Sequence, residues 1–168
     1  AKIEREIDIA KKGETAKIIF KVNSVVEEKL IQALYRASQA GVEVKLIVRG
    51  ICSLRPGIKG ISENIEVRSI IGRYLEHTRV YMFGNGGNQE VYAASADMMS
   101  RNMFRRVETG FPIENKQLKA RVLNDLDCYL KDNSQAWIMQ SDGNYVQAVP
   151  EGDVFRAQTE LMEQYSVK

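Results

Sequence analysis

The chain has 168 residues, 44% hydrophobic and 27% charged, with a net charge of +2. Such values exclude a disordered or fibrous protein and fit one soluble globular domain, or a sizeable piece of a longer chain. A balance this near neutral also argues against a general nucleic-acid coat.

In chain order, residues 3–12 (IEREIDIAKK) set Ile3, Ile7 and Ala10 on one helical face, and Gly13 ends the helix. The β-branched run 16–22 predicts a buried strand. Asn23 and Ser24 are the expected cap of a helix reaching Gly41, with Val26, Leu30, Ala33, Leu34 and Ala37 as its stripe. Residues 42–50 predict a second buried strand. Strand, helix and strand in this order make a βαβ unit with parallel strands. Arg49 then falls at the carboxyl end of the second strand, the edge where open α/β sheets bind ligands.

A Gly- and Pro-rich loop follows, then a short strand over 65–71. Strands over 79–84 and 89–95 flank Asn85-Gly86-Gly87-Asn88, a strong hairpin signal. Residues 105–113 predict another strand, and 115–132 an amphipathic helix through Leu118, Val122, Leu126, Cys128, Tyr129 and Leu130. Residues 136–140 and 145–149 flank Ser141-Asp142-Gly143-Asn144 as a second hairpin. A closing helix over 153–165 has Asp153 as its expected cap. The whole reads as one α/β domain with a mixed sheet and helices on both faces.

Cys52 and Cys128 have neither metal-site nor disulfide-framework spacing, so reduced thiols are expected. No apolar run is long enough to cross a bilayer, and no signal peptide is evident. A cytoplasmic location is expected, with peripheral contact to a membrane left open. The chain begins at Ala1 rather than methionine, which suggests a piece of something longer.

Eight of the twelve arginines lie between positions 49 and 106, around His77, the single histidine. Arginine keeps its charge and offers a planar fork of donors that suits phosphate oxygens. If the hairpin pairs as expected, His77, Arg79, Ser95 and Asp97 can converge. An imidazole can act as nucleophile or proton carrier near neutral pH. Arginine can hold a phosphoryl oxygen, Ser95 can donate to one, and Glu108 or Asp97 can fix an imidazole tautomer. The plainer alternatives are a satisfied histidine, Asp97 as the cap of a turn, Glu108 paired with Arg106 or Arg101, and Arg55-Pro56-Gly57 as a simple turn.

HTRVYMFGNGG and VYAASADMMSRNMFRRVE resemble the second half-motif of the phospholipase-D-like superfamily. LIVRGICSLRPGIKGISENIEVRSIIGRYLEHTRVYMFGNGG, with SADMMSRNMFRRVE after it, is most similar to the C-terminal catalytic domain of the polyphosphate kinase family. Arg79 stands where the general superfamily has lysine, Asp97 where it has asparagine, and Gly84 where it has aspartate. All three departures fit the kinase branch. The resemblance implies a phospholipase-D-like domain of an enzyme that moves the terminal phosphate of ATP reversibly onto polyphosphate. It implies ATP-phosphate contacts at Arg49 and His77, with His77 as a supporting histidine. Glu108 would pair with the active-site histidine, and Arg55, Arg79 and Arg106 would line the polyphosphate path. The phosphorylated histidine and the Mg²⁺ ligands would lie in domains absent here, so no metal ligand is expected in this chain. Its implied partners are ATP or ADP, inorganic polyphosphate, the remaining domains and, in the parent enzyme, further copies of it.

Two rivals stand beside this reading. One is a phosphodiesterase pairing two copies of the motif across a dimer. The other is a non-catalytic module binding polyphosphate or another anion. Nucleic acid is not expected, because Tyr74, Tyr81, Phe83, Tyr92 and Phe104 fall in predicted strands or core rather than on a stacking surface.

Overall fold

The run Lys17–Val22, rich in β-branched and aromatic side chains, forms the central strand β1, every residue of which is buried except half-buried Lys17. In the computed structural model, which describes residues 1–99 and 107–166, β1 follows α1 (Lys2–Lys11) and precedes α2 (Glu28–Gln39). Then come β2 (Glu43–Val48), β3 (Ile65–Ile70), β4 (Val80–Phe83), β5 (Glu90–Ala94), β6 (Gly110–Pro112), α3 (Lys116–Lys131), β7 (Ala136–Met139), β8 (Tyr145–Gln147) and α4 (Ala157–Tyr165). The strands form one sheet in the order β6-β5-β4-β1-β2-β3-β7-β8. β1, β2 and β3 run parallel, and the outer pairings are antiparallel. The mixed sheet and the predicted βαβ unit are both present.

Alternation along the central strands divides the core in two. Ile18, Phe20, Val22, Val44 and Leu46 pack with Ile7 of α1 and Leu34 and Ala37 of α2. Ile19, Ile47 and Met82 pack with Leu126 and Tyr129 of α3 and Leu161 of α4. Helices therefore cover both faces. Each fully buried aliphatic side chain contributes about 1.5–3 kcal/mol. Both cysteines are free thiols, and burial pushes Cys52 up to about 11, which keeps it protonated and unreactive.

Several boundaries differ from expectation. α2 starts at Glu28, and its cap is the Glu27 carboxylate, which accepts from Leu30 N at 2.7 Å. Asn23 and Ser24 do not cap it, because Val25 is first drawn into bridges with Cys52 and Met98 and Asn23 is bonded elsewhere. α4 starts at Ala157, not near Asp153, and Arg156 at its start makes no capping bond. Asp132, just after α3, serves instead: one carboxylate oxygen accepts from Ala157 N at 2.8 Å, and the other accepts from the amides of Ser134, Gln135 and Ala136. β6 covers only Gly110–Pro112 of the strand expected over 105–113, and its first two positions lie outside the described residues. In α3, Leu126, Cys128 and Tyr129 are buried, whereas Leu118 is exposed beside Phe111.

Gly50 marks a close approach that only glycine permits. A Cβ there would lie 2.7 Å from the backbone oxygen of Asn23, which already accepts from Gly50 N at 2.8 Å. Gly50→Ala should destabilise the fold by about 1–3 kcal/mol by forcing the ends of β1 and β2 apart. Urea unfolding would show it, and an unchanged midpoint would refute the crowding.

Candidate functional site

Topology brings the site together. β3 ends at the carboxyl edge of the sheet, and β4, on the far side of β1, begins at that same edge, with Val80 opposite Lys21. The link between them, residues 71–79, must cross the carboxyl ends of β2 and β1, and it carries His77 over Arg49. β5 returns antiparallel to β4, so it also ends there, with Ala93 opposite Val80. Ser95 and Asp97 therefore leave the sheet beside Asn23, the first residue past β1.

Five residues close a ring at this edge. Arg49 Nη2 lies 3.2 Å from His77 Nδ1, and Arg49 Nε donates to Asn23 Oδ1 at 2.7 Å. The Asp97 carboxylate accepts from Asn23 N at 2.6 Å, from Asn23 Nδ2 at 3.3 Å and from Arg79 Nη2 at 3.1 Å. Arg79 Nη1 completes the ring by donating to the His77 backbone oxygen at 3.2 Å. Asp97 is 6% exposed, whereas Arg49 and His77 face solvent. Desolvation alone would raise the Asp97 carboxyl, but Arg79 and Asn23 outweigh it and hold it below the usual carboxylate range.

The ring sets the imidazole's chemistry. A guanidinium can only donate, so the contact with Arg49 makes Nδ1 the acceptor and leaves the neutral ring's proton on Nε2. Nε2–H is then the donor that the exposed ring offers outward. It belongs to a ring held beside a fixed positive charge, Arg49, which itself lines a cavity of about 250 Å³ together with Lys21, Tyr74, Glu76 and Tyr129. An anionic oxygen at Arg49 would meet a guanidinium fork with the imidazole as its neighbour.

The remaining predicted residues are spread more widely. The Ser95 hydroxyl is bonded to the Glu108 carboxylate and accepts from Thr109 N at 3.0 Å, so it is not free to donate to a phosphate. Arg55 reaches toward Ser141 O at 3.4 Å, on the β7–β8 turn, which the strand register places at the opposite end of the sheet. Arg106 and Arg101 lie outside the described residues. Arg68 belongs to the scaffold: it is ion-paired with Glu66 and bonded to Tyr129 O at the end of α3. Among the described residues, no group of three or more His, Cys, Asp or Glu side chains could hold a metal ion, and no helix is long and apolar enough to cross a membrane.

Sequence reasoning missed Asn23, which holds Arg49 and Asp97 at once. The signal was present: Asn23 ends a buried parallel strand at the same edge as Arg49, and that edge is where polar side chains of open α/β sheets gather.

A model of "Polyphosphate kinase C-terminal domain 2" matches residues 1–158. The chain is 53% identical over 166 residues to the polyphosphate kinase of Pseudomonas syringae pv. tomato, covering 98% of this chain and 23% of that protein. It is 56% identical over 151 residues to the Pseudomonas aeruginosa enzyme, covering 90% and 22%. The chain thus spans less than a quarter of the length of these relatives. The crystal structure of polyphosphate kinase from Porphyromonas gingivalis superimposes with a TM-score of 0.93 at 39% identity, over 96% of this chain and 25% of that one. Nuc from Salmonella typhimurium, a phospholipase D family member, superimposes with a TM-score of 0.54 at 16% identity, over 85% of this chain and 89% of that one, which shows a shared fold.

Proposed function

Since the chain belongs to the polyphosphate kinase family, we propose that it is the C-terminal catalytic domain of an ATP:polyphosphate phosphotransferase, one piece of a longer enzyme. The observation that carries this reading is the ring that presents Arg49 and the His77 ring N–H together at the sheet's carboxyl edge. In the forward reaction the terminal phosphoryl group leaves the β-phosphate oxygen of ATP, releasing ADP, and joins a histidine nitrogen in a domain outside this chain. The terminal oxygen of polyphosphate then takes it, and the histidine is regenerated. The reverse sequence makes ATP. Dividing the transfer in two lowers each barrier.

In-line phosphoryl transfer asks the protein mainly for positioning and charge neutralisation. Arg49 supplies a fork of donors for nucleotide phosphate oxygens, and His77 donates from Nε2 and can pass a proton. Glu108 pairs with the phosphorylated histidine. By the family pattern Arg79 and Arg106 would line the path of the polyphosphate chain, whereas Arg55, held toward the β7–β8 turn at the opposite end of the sheet, is left out of that path. The Mg²⁺ expected with ATP would be held by the other domains of the parent enzyme, since no ligand cluster is found among the described residues. This reading places the parent enzyme in the cytoplasm and assembles it from several copies.

Calorimetric titration with medium-chain polyphosphate tests this reading. Arg49→Ala and His77→Ala should each weaken binding by roughly ten- to a hundredfold, the worth of one or two charge-assisted hydrogen bonds. Unchanged binding in both folded variants would overturn the site. Robust polyphosphate synthesis by this chain alone would overturn the division of labour.

A further inference from the structure

The crossing that carries His77 has no helix or strand of its own, and the His77 side chain is exposed, so packing does not hold the ring against Arg49. We propose that Gln158, in the first turn of α4, is the positioning residue that fixes this crossing and thereby sets the imidazole against Arg49. The inference rests on the reading of His77 as part of the phosphate site.

The geometry is a latch. The Gln158 side-chain oxygen accepts from Tyr74 N at 2.9 Å, and its nitrogen donates to Tyr74 O and to Glu76 Oε1, both at 2.8 Å. The carboxamide thus engages its oxygen and both of its N–H groups, all on residues one to three positions before His77. Gln158 is only 6% exposed, and a buried amide is tolerated only when bonded in this way. Glu76 extends the latch into the sheet through Lys21 at 3.0 Å and through the Tyr129 hydroxyl. The approach is tight: a Cβ on Gly72 would lie 2.3 Å from Gln158 Oε1 and 2.8 Å from its carbonyl carbon. Gln158 is itself well placed, because the preceding Ala157 is fully buried and its amide is bonded to Asp132. Gln158 does not line the cavity beside Arg49, so the closing helix acts on the site through residues 74 to 76.

The only histidine in the chain makes the test direct. Gln158→Met keeps the side chain's length and removes its hydrogen bonds. The ring ¹⁵N resonances of His77 in the ligand-free 168-residue protein should show a bare Nδ1 and a protonated Nε2. In Gln158→Met the two shifts should move toward each other as the tautomers mix, and affinity for medium-chain polyphosphate should fall roughly tenfold, while thermal unfolding stays cooperative. A merely structural role would move the melting temperature and leave the nitrogen shifts unchanged. Unchanged shifts in the folded variant overturn the latch. If Gln158→Met does not fold, Gly72→Ala dislodges the same carboxamide by crowding and is read in the same way. If the wild-type chain binds no polyphosphate, the proposed function fails while the nitrogen shifts still decide the latch.

Discussion

Asp97→Ala should destabilise the fold by about 3–5 kcal/mol at neutral pH, the range for breaking one partner out of a buried ion pair. Two consequences add up. Arg79 keeps its charge in a half-buried place, where its Nε already has no hydrogen-bond partner among the described residues. The amide of Asn23 loses an acceptor 2.6 Å away, in a setting that admits little water. Asp97→Asn should lose less, about 1–2 kcal/mol, because an amide oxygen still accepts from Asn23 but cannot neutralise Arg79. Urea unfolding at pH 7 would rank the three proteins. A loss near 0.5 kcal/mol for Asp97→Ala, typical of surface changes, would show that the ring does not support the fold.

The sign of the pH dependence follows from the direction of the shift. Arg79 and Asn23 hold the Asp97 carboxyl below its ordinary range against the pull of desolvation. Its contribution is therefore complete above the unfolded-state pKa, near pH 4, and fades as pH falls through the folded-state value. The gap between wild type and Asp97→Ala should be full at pH 7 and narrow below about pH 4. A gap that stayed constant down to pH 3 would mean that the carboxylate's charge contributes nothing.

Glu76→Ala is the second large effect, about 3 kcal/mol or more by the same reasoning. Lys21, on the central strand, is 7% exposed, and Glu76 is its salt-bridge partner at 3.0 Å. The ammonium also lies 4.9 Å from the centre of the Tyr129 ring, a contact that softens the loss of the carboxylate but does not replace it. Desolvation would raise the Glu76 carboxyl, yet Tyr129, Lys21 and Gln158 hold it below the ordinary range. Its stabilisation is again present above about pH 4 and lost as pH falls. Glu76 also neighbours His77, so the variant should loosen the imidazole as well as the fold. A Glu76→Ala protein as stable as wild type at pH 7 would mean that Lys21 finds another partner or reaches solvent.

How much of this was legible beforehand depends on the distance over which each feature is decided. The strands Lys17–Val22 and Glu43–Val48 were visible because a strand buried on both faces must be apolar at nearly every position. Both hairpins were visible because tight turns need residues that tolerate left-handed backbone, as at Gly86 and Gly143. The parallel pairing followed from chirality and connection length, and Arg49 at the ligand-binding edge followed from that pairing. The chain also carried a family's motif around His77, and local composition alone gave that histidine no role. Tertiary structure decided the rest. Asn23 and Asp132 are short polar residues that cap helices, start turns or face solvent equally well in isolation, and Gln158 is a helix former whose amide ordinarily faces solvent. Their partners lie 74, 25 and 84 positions away. Those partners were selected by the return of β5 along β4 to the edge where β1 ends for Asn23, by the β7–β8 hairpin that brings the start of α4 back to the end of α3 for Asp132, and by the crossing from β3 to β4 for Gln158. Hydrogen bonds across such separations exist only after the sheet order is fixed.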